Sequence, residues 1–298
     1  MEVNFAWTLR RTARESWKDE VFGQAARLAF YHFLGLFPFL LLAVLVLMRF
    51  EHSGARLLET LDSSLRRVFP VSAASVVTGF LAQVSSRANR EEIGVAALGS
   101  MWAAFNGTWA VMAGLNSAYE VEDRRSWWKI TLIAGGLTVA LGLLGFIALG
   151  LLLFGARIGL MTEFGAAWRI LHWAVIAVLL LVAFALLYRF GPDLEDMRFR
   201  WGTPGAAIAV FLWISTSLVF RAYAERAASK YDLAYGSLAS AALLMLWFYV
   251  TGVAILIGGE VNSEIENAAA QNGHPDARRP GERRPGGRPA PRVEPPDH

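Results

Sequence analysis

Six continuous apolar stretches, each about 20 residues long, constrain this 298-residue chain more than any other feature of its sequence. A helix needs about that length to cross the hydrocarbon core of a bilayer. Apolar and polar residues do not alternate within the stretches, so the pattern indicates helices rather than β-barrel strands. The six predicted spans are residues 25–48, 93–116, 130–154, 170–190, 204–224 and 237–257.

Composition agrees with a membrane protein. Hydrophobic residues make up 55% of the chain and charged residues 18%, against about 25% charged residues in soluble domains. The first apolar run, residues 28–48, is longer than the roughly 7–15 residues of a secretory signal, so we expect a retained helix. Cysteine is absent, which excludes disulfides, thiolate metal sites and cysteine nucleophiles. The sequence therefore predicts an all-α polytopic membrane protein with six transmembrane helices in residues 25–267.

The distribution of Lys and Arg around the spans predicts the orientation of the chain. With a cytoplasmic N-terminus, fifteen of these residues lie in inner segments and nine in outer segments. Six of the outer nine fall in the one long segment between spans one and two, which also carries several acidic residues. Both termini are therefore predicted to be cytoplasmic, with residues 51–92 outside.

Two segments beside span one have the period of amphipathic helices. Residues 57–69 and 76–84 repeat their apolar positions at helical spacing on either side of Pro70. This predicts a small extracytoplasmic helical cap within residues 51–92, or alternatively a pair of helices lying on the lipid surface. Residues 1–24 are predicted to form an interfacial amphipathic helix. Its apolar stripe is Phe5, Leu9, Ala13, Trp17 and Val21.

The end of the chain has a different character. Seven of the eleven prolines lie between Pro275 and Pro296, among Gly and Arg residues. Such a composition provides little apolar surface to bury, so residues 268–298 are predicted to be a disordered tail. The tail is either a solvated extension or a contact for anionic headgroups. The pI near 9.4 reflects dispersed arginines without a recognition motif, so no nucleic-acid partner is expected.

Polar residues at the ends of the spans are the candidate functional residues, because charged groups are costly inside a bilayer and often mark function. Glu260 is the expected counter-ion for Arg27 or Arg189 at the predicted cytoplasmic end. The alternative is that the arginines reach toward headgroups and the tyrosines form an interfacial belt. The cytoplasmic group is Arg27, Asn116, Tyr119, Glu120, Arg189, Glu260 and Asn262. The outer group is Arg221, Tyr223, Tyr231 and Tyr235.

Glycine and proline residues inside the spans predict local geometry. Gly35 and Pro38 predict a kink in span one, because Pro38 frees a backbone carbonyl that needs another partner. Span three is rich in small residues, which are typical of close contacts between membrane helices. Its glycines are Gly135, Gly136, Gly142, Gly145 and Gly150.

Short motifs spread over the spans match a known pattern in its order. The first is the run at residues 25–31, AARLAFY, which continues to Leu36, Phe37 and Pro38. The later ones are residues 116–119, residues 187–189 with Pro192, Gly205 with Trp213, Tyr231 with residues 235–237, residues 246–247, and Glu260 with Asn262. Over about residues 10–267 the chain resembles the virulence factor BrkB, or YihY, family of bacterial inner-membrane proteins.

The resemblance implies six transmembrane helices, an inner-membrane location, and a role in transport or the cell envelope. Some family members have been labelled ribonuclease BN. The sequence gives little support to that activity, since its histidines are scattered and its acidic residues form no paired metal site. We expect no catalytic residues, metal or cofactor. The five histidines are His32, His52, His172, His274 and His298.

Three classes of function are consistent with these residues. The first is a transporter or flippase for an amphipathic, lipid-like and anionic molecule, with membrane lipids as partners. The second is a non-catalytic membrane scaffold or envelope-assembly protein. The third, a membrane-embedded enzyme, would need convergent acid, base or nucleophile groups, and its nearest candidates, Glu260, Tyr231 and Ser237, form no recognisable triad. The sequence indicates no oligomeric state.

Overall fold

The computed structural model describes residues 20–47, 90–160, 165–195, 199–235 and 237–286, together with isolated positions at 12, 14, 16, 17, 59, 62, 63, 78 and 79. Six long α-helices and no β-strand occur in this part of the chain. The all-α prediction is therefore confirmed. The helices are α1 (Val21–Leu47), α2 (Arg90–Ala118), α3 (Trp127–Leu160), α4 (Gly165–Phe190), α5 (Phe199–Tyr235) and α6 (Ser237–Gln271).

The helices pack around α6. Helix α6 lies against α5 on one side and α1 on the other, α1 also packs along α2, and α4 lies between α3 and α5. Leu28, Leu115, Tyr188 and Leu256 come from α1, α2, α4 and α6 and are fully buried in one apolar cluster. These contacts bring the C-terminal ends of α2, α4 and α6 together at one end of the bundle, which we call the polar end.

Glycines allow the central helices to approach closely. A Cβ on Gly35 would lie 3.4 Å from the backbone nitrogen of Ala104 on α2, and one on Gly252 would lie 3.2 Å from the carbonyl of Ala25 on α1. A methyl group would make an ordinary contact at Gly35 and a tight one at Gly252, so the backbones of these helices lie close together at both positions. Helix α1 continues through Pro38 to Leu47, and Pro38 is buried.

The glycines of α3 do not have the role that the sequence predicts for most of them. Gly145 meets the ring of Phe39, 3.3 Å from its would-be Cβ. The other four predicted contacts, at Gly135, Gly136, Gly142 and Gly150, have no atom of the described chain within 4 Å. The prediction is wrong at these four positions because α3 lies at the edge of the bundle, where few neighbours reach it.

Three helical segments, Trp127–Phe154, Leu171–Phe190 and Ala241–Gln271, are long and apolar enough to cross a membrane. Pro204–Phe220 is a shorter apolar segment. All six predicted spans lie on helices, but the count of six membrane crossings stays a prediction. The predicted cap at residues 51–92 lies almost entirely outside the described residues. Of the predicted N-terminal interfacial helix, Thr12 and Ser16 are buried and Trp17 is exposed.

The prediction of a disordered tail from residue 268 is wrong for its described part. Helix α6 runs on to Gln271, and residues 272–286, which we call the strap, fold back against the polar end. Ala277 and Arg278 are buried in this segment. Composition misled the prediction because ion pairs and backbone hydrogen bonds, rather than apolar burial, hold the strap. Residues 287–298 lie outside the described part of the chain.

Candidate functional site

Buried polar side chains are concentrated at the polar end. They come from the end of α2, the loop after α4, the last four turns of α6 and the strap. Buried polar groups need partners, because an unmatched charge in a desolvated place is costly. The buried members are Asn116, Asp193, Glu260, Asn262, Ser263, Glu264, Glu266, Asn267, Arg278 and Glu282.

The end of α2 is closed by two backbone hydrogen bonds. The N–H of Val121 donates to the carbonyl of Asn116 at 2.9 Å, and that of Glu120 donates to Ser117 at 2.8 Å. This pairing requires a left-handed residue, and Glu120 takes that place with a φ of 52°. Glycine usually occupies it, so Glu120 stores about 1 kcal/mol of backbone strain. Helix α6 ends with the same pairing, but with Gly273 at the left-handed position.

Asp193, in the loop after α4, connects three segments. Its backbone N–H donates to Asn116 Oδ1 at 2.7 Å, and its Oδ2 accepts the backbone N–H of Arg124 at 2.9 Å. The Arg283 guanidinium of the strap lies 2.8 Å from the same carboxylate. Asp193 therefore joins three segments, binding the end of α2 through its backbone and the α2–α3 loop and the strap through its buried carboxylate.

Arg125 links the α2–α3 loop to the end of α4. Its guanidinium forms a two-pronged pair with Asp123, with Nε 2.9 Å from Oδ1 and Nη2 2.6 Å from Oδ2. Nη2 also donates to the carbonyl of Gly191 at 2.9 Å. A cation at this place complements the negative end of the α4 dipole. Arg125 therefore holds the α2–α3 loop against the loop that follows α4.

Arg278 and Glu266 form a buried ion pair between the strap and α6. Arg278 Nε lies 2.8 Å from Oε1 of Glu266, and Nη2 lies 2.9 Å from Oε2. The backbone N–H of Arg278 also donates to Oε1. Both side chains are at most 4% exposed. This geometry satisfies the carboxylate on both oxygens, which is the condition under which a buried pair is tolerated.

The interior of the polar end is closely packed below these loops. Asn262 is fully buried, and its Oδ1 accepts the backbone N–H of Gly205 at 2.6 Å. The Tyr188 hydroxyl donates to the carbonyl of Ile255 at 2.7 Å. A Cβ on Gly258 would lie 2.8 Å from the carbonyl oxygen of Gly205. Helices α4, α5 and α6 therefore meet with no space for a larger side chain at Gly258.

Two groups outside the predicted spans have shifted pKa values. Burial raises the pKa of the Tyr119 phenol, and the charge of Glu266 adds to the rise while Arg278 opposes it. For Asp123, partial burial would raise the pKa, but the hydrogen bonds and charge of Arg125 together with Asn116 lower it below its ordinary value. The Tyr119 phenol is therefore protonated at neutral pH, whereas Asp123 is a carboxylate.

The structure brings together four residues of the predicted cytoplasmic group. Asn116, Tyr119, Glu260 and Asn262 are all buried at the polar end. The charge of Glu260 raises the pKa of the Tyr119 phenol, and the side chain of Asn262 lowers it. Their grouping follows from their places at the ends of α2 and α6.

The predicted ion pair of Glu260 with Arg27 or Arg189 is not among the pairs formed by the described residues. Arg27 is exposed on α1, and the Arg189 guanidinium lies 5.5 Å from the ring centre of Phe190. The arginines paired in this region are instead on the loops and the strap. Arg125 pairs with Asp123 of its own loop, and Arg278 reaches Glu266 on α6 from the strap.

Sequence reasoning missed the residues that hold the loops and the strap together. A signal was present for some of them, since Pro192 and Asp193 follow a helix end and the Asp-Arg-Arg run at residues 123–125 lies in a short loop. Their partners are distant in sequence, and periodicity carries no information about such pairs. The missed residues are Asp123, Arg125, Asp193, Glu266, Arg278 and Arg283.

The predicted outer group is described only in part. Tyr223 is exposed on α5, with its ring centre 6.4 Å from that of Phe220. Arg221, Tyr231 and Tyr235 lie on the same helix, and their side chains are outside the described part. Their grouping stays a prediction. In the described part of the chain, no three His, Asp or Glu side chains are arranged to hold a metal ion.

The family profile of the virulence factor BrkB matches residues 12–282. This chain belongs to the BrkB family. The match includes most of the strap, which the resemblance at residues 10–267 had left out. The family assignment, together with the apolar helices, makes the chain a membrane protein.

Curated relatives agree with this assignment. The ribonuclease-like protein YfkH of Bacillus subtilis is 32% identical over 248 residues, which cover 80% of this chain and 88% of YfkH. UPF0761 membrane proteins of Verminephrobacter eiseniae and Xanthomonas oryzae are 26% and 27% identical, over 89% and 88% of this chain. The chain spans less than two thirds of their length, 64% and 60% respectively. No solved structure matches the chain.

Proposed function

We propose that this chain is a multi-pass protein of the bacterial inner membrane that binds an anionic, lipid-like molecule and moves it across the bilayer. Both termini lie in the cytoplasm, and the polar end faces the cytoplasmic headgroups. Membrane lipids are its partners, and the proposal includes no nucleic acid and no cofactor.

The separation of charge at the polar end supports this proposal most directly. Five carboxylates are buried there, on Asp193, Glu260, Glu264, Glu266 and Glu282, against the buried guanidinium of Arg278. The side chains of Arg27, Arg124, Arg279 and Arg284 are exposed. The face that a headgroup would meet is therefore richer in cations than the interior. Guanidinium groups suit phosphates and carboxylates because they donate in a planar fork.

The aromatic residues at the start of α3 support the proposed position of this face at headgroup level. Trp127 and Trp128 are 73% and 57% exposed, and Lys129 Nζ lies 5.5 Å from the Trp128 ring centre. Tryptophan and lysine in this arrangement are typical of the membrane–water interface. Arg124 lies three residues before Trp127, and its backbone is held by Asp193. Its guanidinium would thus be at headgroup level on a rigid loop.

Helix α3 supplies the element that could move. It contacts α2 and α4, and only 11% of its apolar stretch is buried. Its side-chain hydrogen bond to α2 joins Thr138 and Thr108 at 2.8 Å. Helix α3 buries a smaller share of its apolar stretch within the protein than α6 does, and in this proposal it is the helix that moves.

Cysteine labelling tests the orientation. Ser63 and Asn272 are both exposed, and the chain has no cysteine of its own. On intact cells an impermeant thiol reagent should label Ser63→Cys and not Asn272→Cys, and both should react after permeabilisation. The reverse pattern would invert the proposed topology.

Reconstitution tests the function. Purified protein in vesicles should bind fluorescent phosphatidylglycerol and move it between leaflets, and it should discriminate against phosphatidylcholine. Arg124→Ala should weaken binding about tenfold, since a hydrogen bond to a charged group is worth about 1.5–3 kcal/mol. Glu122→Gln, an exposed change on the same loop, is the matched control. If the Arg124 variant and the control behave alike, the polar end is not the headgroup site.

A scaffold role is the second candidate, and the tight glycine contacts between α5 and α6 favour it. A Cβ on Gly205 would clash with the carbonyl of Gly258 and with Asn262. A bundle closed in this way at its polar end suits a fixed platform for envelope assembly. Protein that neither retains nor moves any lipid in a broad panel, yet copurifies with an envelope protein, would establish this role instead.

We also propose that the chain is not an enzyme, although its relative YfkH carries a ribonuclease-like name. Among the buried carboxylates at the polar end, those of Asp193 and Glu266 are engaged in ion pairs, and that of Glu282 accepts a backbone N–H. Incubation of the purified protein with labelled RNA and divalent metal should leave the RNA intact. Cleavage that disappears in an Asp193→Asn variant would overturn this proposal.

A further inference from the structure

Asn106 is a polar residue in the middle of the second predicted span. It lies on α2 two residues before Thr108, which accepts a hydrogen bond from Thr138 of α3 at 2.8 Å. Thr138 is eleven residues beyond Trp127, which is about 16 Å along a helix. The hydrocarbon core of a bilayer is about 30 Å thick. With Trp127 at the headgroups, Thr138 and Asn106 are therefore close to the midplane.

The carboxamide of Asn106 is only partly satisfied by the protein. Its Nδ2 donates to the carbonyl of Trp102, one turn earlier in α2, at 2.7 Å. Within the described residues its Oδ1 accepts no hydrogen bond, and the residue is partly exposed. The hydroxyls of Thr108 and Thr138, at the same depth, bond each other. Because lipid chains offer no donor, the Asn106 oxygen needs a partner from another polar group in the membrane.

The surface of α2 around Asn106 is open. Trp102 is 61% exposed, and a Cβ on Gly99 would meet no atom of the described chain within 4 Å. Exposed or partly exposed positions recur here at intervals of three and four residues, which is the spacing of the seam between two paired helices. They are Gly99, Trp102, Asn106, Trp109 and Ala113, and we call them the Asn106 face.

The Asn106 face is complementary to a second copy of itself. A carboxamide carries both donors and an acceptor. Two of them related by a twofold axis can therefore form reciprocal bonds, in which the positive N–H of each meets the negative oxygen of the other. This gives each Oδ1 the bond that it lacks and uses the second N–H of each Nδ2. One asparagine at a seam position also fixes the register of two paired helices.

We propose that two copies of this protein associate in the membrane through the Asn106 face, with the carboxamide of each Asn106 bonded to that of the other. Both copies insert in the same direction, so the twofold axis is perpendicular to the bilayer and the two α2 helices are parallel. Each residue of the face then lies opposite its own counterpart. The association requires that α2 crosses the bilayer, and it does not depend on transport of a lipid.

Energy transfer between two labelled populations of the full chain measures the association. Asn272→Cys, at an exposed position, carries the donor dye or the acceptor dye, in vesicles of phosphatidylethanolamine and phosphatidylglycerol. Transfer should rise to a plateau as the protein-to-lipid ratio increases. Asn106→Leu should move the midpoint about tenfold toward higher protein, since two hydrogen bonds of the strength found in membrane proteins are lost. Asn106→Gln keeps the amide and should keep most of the association.

Thr131→Val is the matched control, because it removes from α3 a hydroxyl that also donates to a carbonyl of its own helix, and it should leave the midpoint unchanged.

Cross-linking locates the contact while Asn106 is intact. On oxidation Gly99→Cys should form a disulfide between two copies, and Leu143→Cys, at an exposed position on α3, should not. Transfer that never exceeds the level of random mixing would show that the chain is monomeric. A midpoint of Asn106→Leu equal to that of the unchanged protein, or a disulfide at Leu143→Cys instead of Gly99→Cys, would place the contact elsewhere. Each of these three results overturns the proposal.

Discussion

Helices α3 and α6 are similar in sequence character but are buried to very different extents in the protein. Both are long enough and apolar enough to cross a membrane, and both contain several glycines. The protein buries 50% of the apolar stretch of α6 but 11% of that of α3. The glycines Gly252, Gly258 and Gly259 of α6 all contact neighbouring helices, whereas most of those in α3 face open space.

This difference shows what determines which helix lies at the centre of a membrane bundle. Apolar length makes both helices suitable for lipid, so it cannot distinguish them. What distinguishes α6 is the polar sequence at its C-terminal end, where Glu260, Asn262 and Glu266 are buried. Polar groups in an apolar surrounding must be enclosed by protein. The helix that carries them is therefore held in the middle.

The largest expected effect comes from breaking the buried pair at the end of α6. Glu266→Ala leaves the Arg278 guanidinium buried without its carboxylate, which should cost about 3–5 kcal/mol of unfolding free energy. Chemical unfolding of the detergent-solubilised protein measures this loss. Glu195→Ala, at an exposed carboxylate that also faces the strap, should cost less than about 1 kcal/mol.

The pairing itself is checked by a double-mutant cycle. Glu266→Ala and Arg278→Ala together should cost less than the sum of the two single changes, because each removes the same interaction. Additive costs would mean that the two residues stabilise the protein separately. The contrast between α6 and α3 would then need another explanation.

A second prediction compares one glycine from each helix. Gly258→Ala places a methyl group against the Gly205 carbonyl and the side chain of Ala209, which should cost about 1–3 kcal/mol. Gly142→Ala on α3 meets open space and should be neutral or stabilise the helix by up to about 1 kcal/mol. Thermal unfolding of the two variants in the same detergent gives the comparison. A similar loss in both would show that α3 has a partner on that face in the membrane.

The third prediction concerns the contact between α3 and α2. Thr138→Val removes the hydrogen bond to Thr108 while keeping the shape of the side chain. Such bonds inside membrane proteins are worth about 0.6 kcal/mol. Thr131→Val is the control, since that hydroxyl donates to the carbonyl of Trp127 in its own helix. Unfolding free energies that do not separate the two variants would mean that this bond does not hold α3.

The smallest effect is a dependence on pH. The pKa of Asp123 is lowered in the folded protein by Arg125 and Asn116, despite partial burial. The stability it contributes is therefore fully present above the ordinary pKa of an aspartate and is lost as pH falls through the lowered value. Asp123→Asn should remove this part of the acid sensitivity. An unfolding midpoint that depends on pH to the same degree in both proteins would contradict it.

The helices could be predicted from sequence because their signal is local. Each apolar run lies on one helix, and polar residues at the ends of those runs, such as Asn116 and Asn262, were expected to gather. The ion pairs could not be predicted in the same way. The hydrogen bond from Arg283 to Asp193 joins residues 90 positions apart. The sequence around either residue does not indicate which residue is its partner.

The strap illustrates the limit of composition. A segment of proline, glycine and arginine buries little apolar surface, so order is not expected from its sequence. The fold orders it through Glu266 and Asp193, which offer desolvated carboxylates to its arginines. A tail rich in arginine is therefore predictable only when the acceptors on the rest of the protein are known.

The chain is synthesised from its N-terminus, so the residues that meet at the polar end are made at different times. Asn116 is made 77 residues before Asp193, whose N–H it accepts, and Asp193 is made 90 residues before Arg283. Residues that are made early have no partner at the polar end until the later residues are synthesised. Contacts between segments that are distant in sequence also form slowly. The helices can thus all be in place while Asp193 and Glu266 still face water. The strap is the last of the described segments to be made, so its arrival completes the contacts described at the polar end.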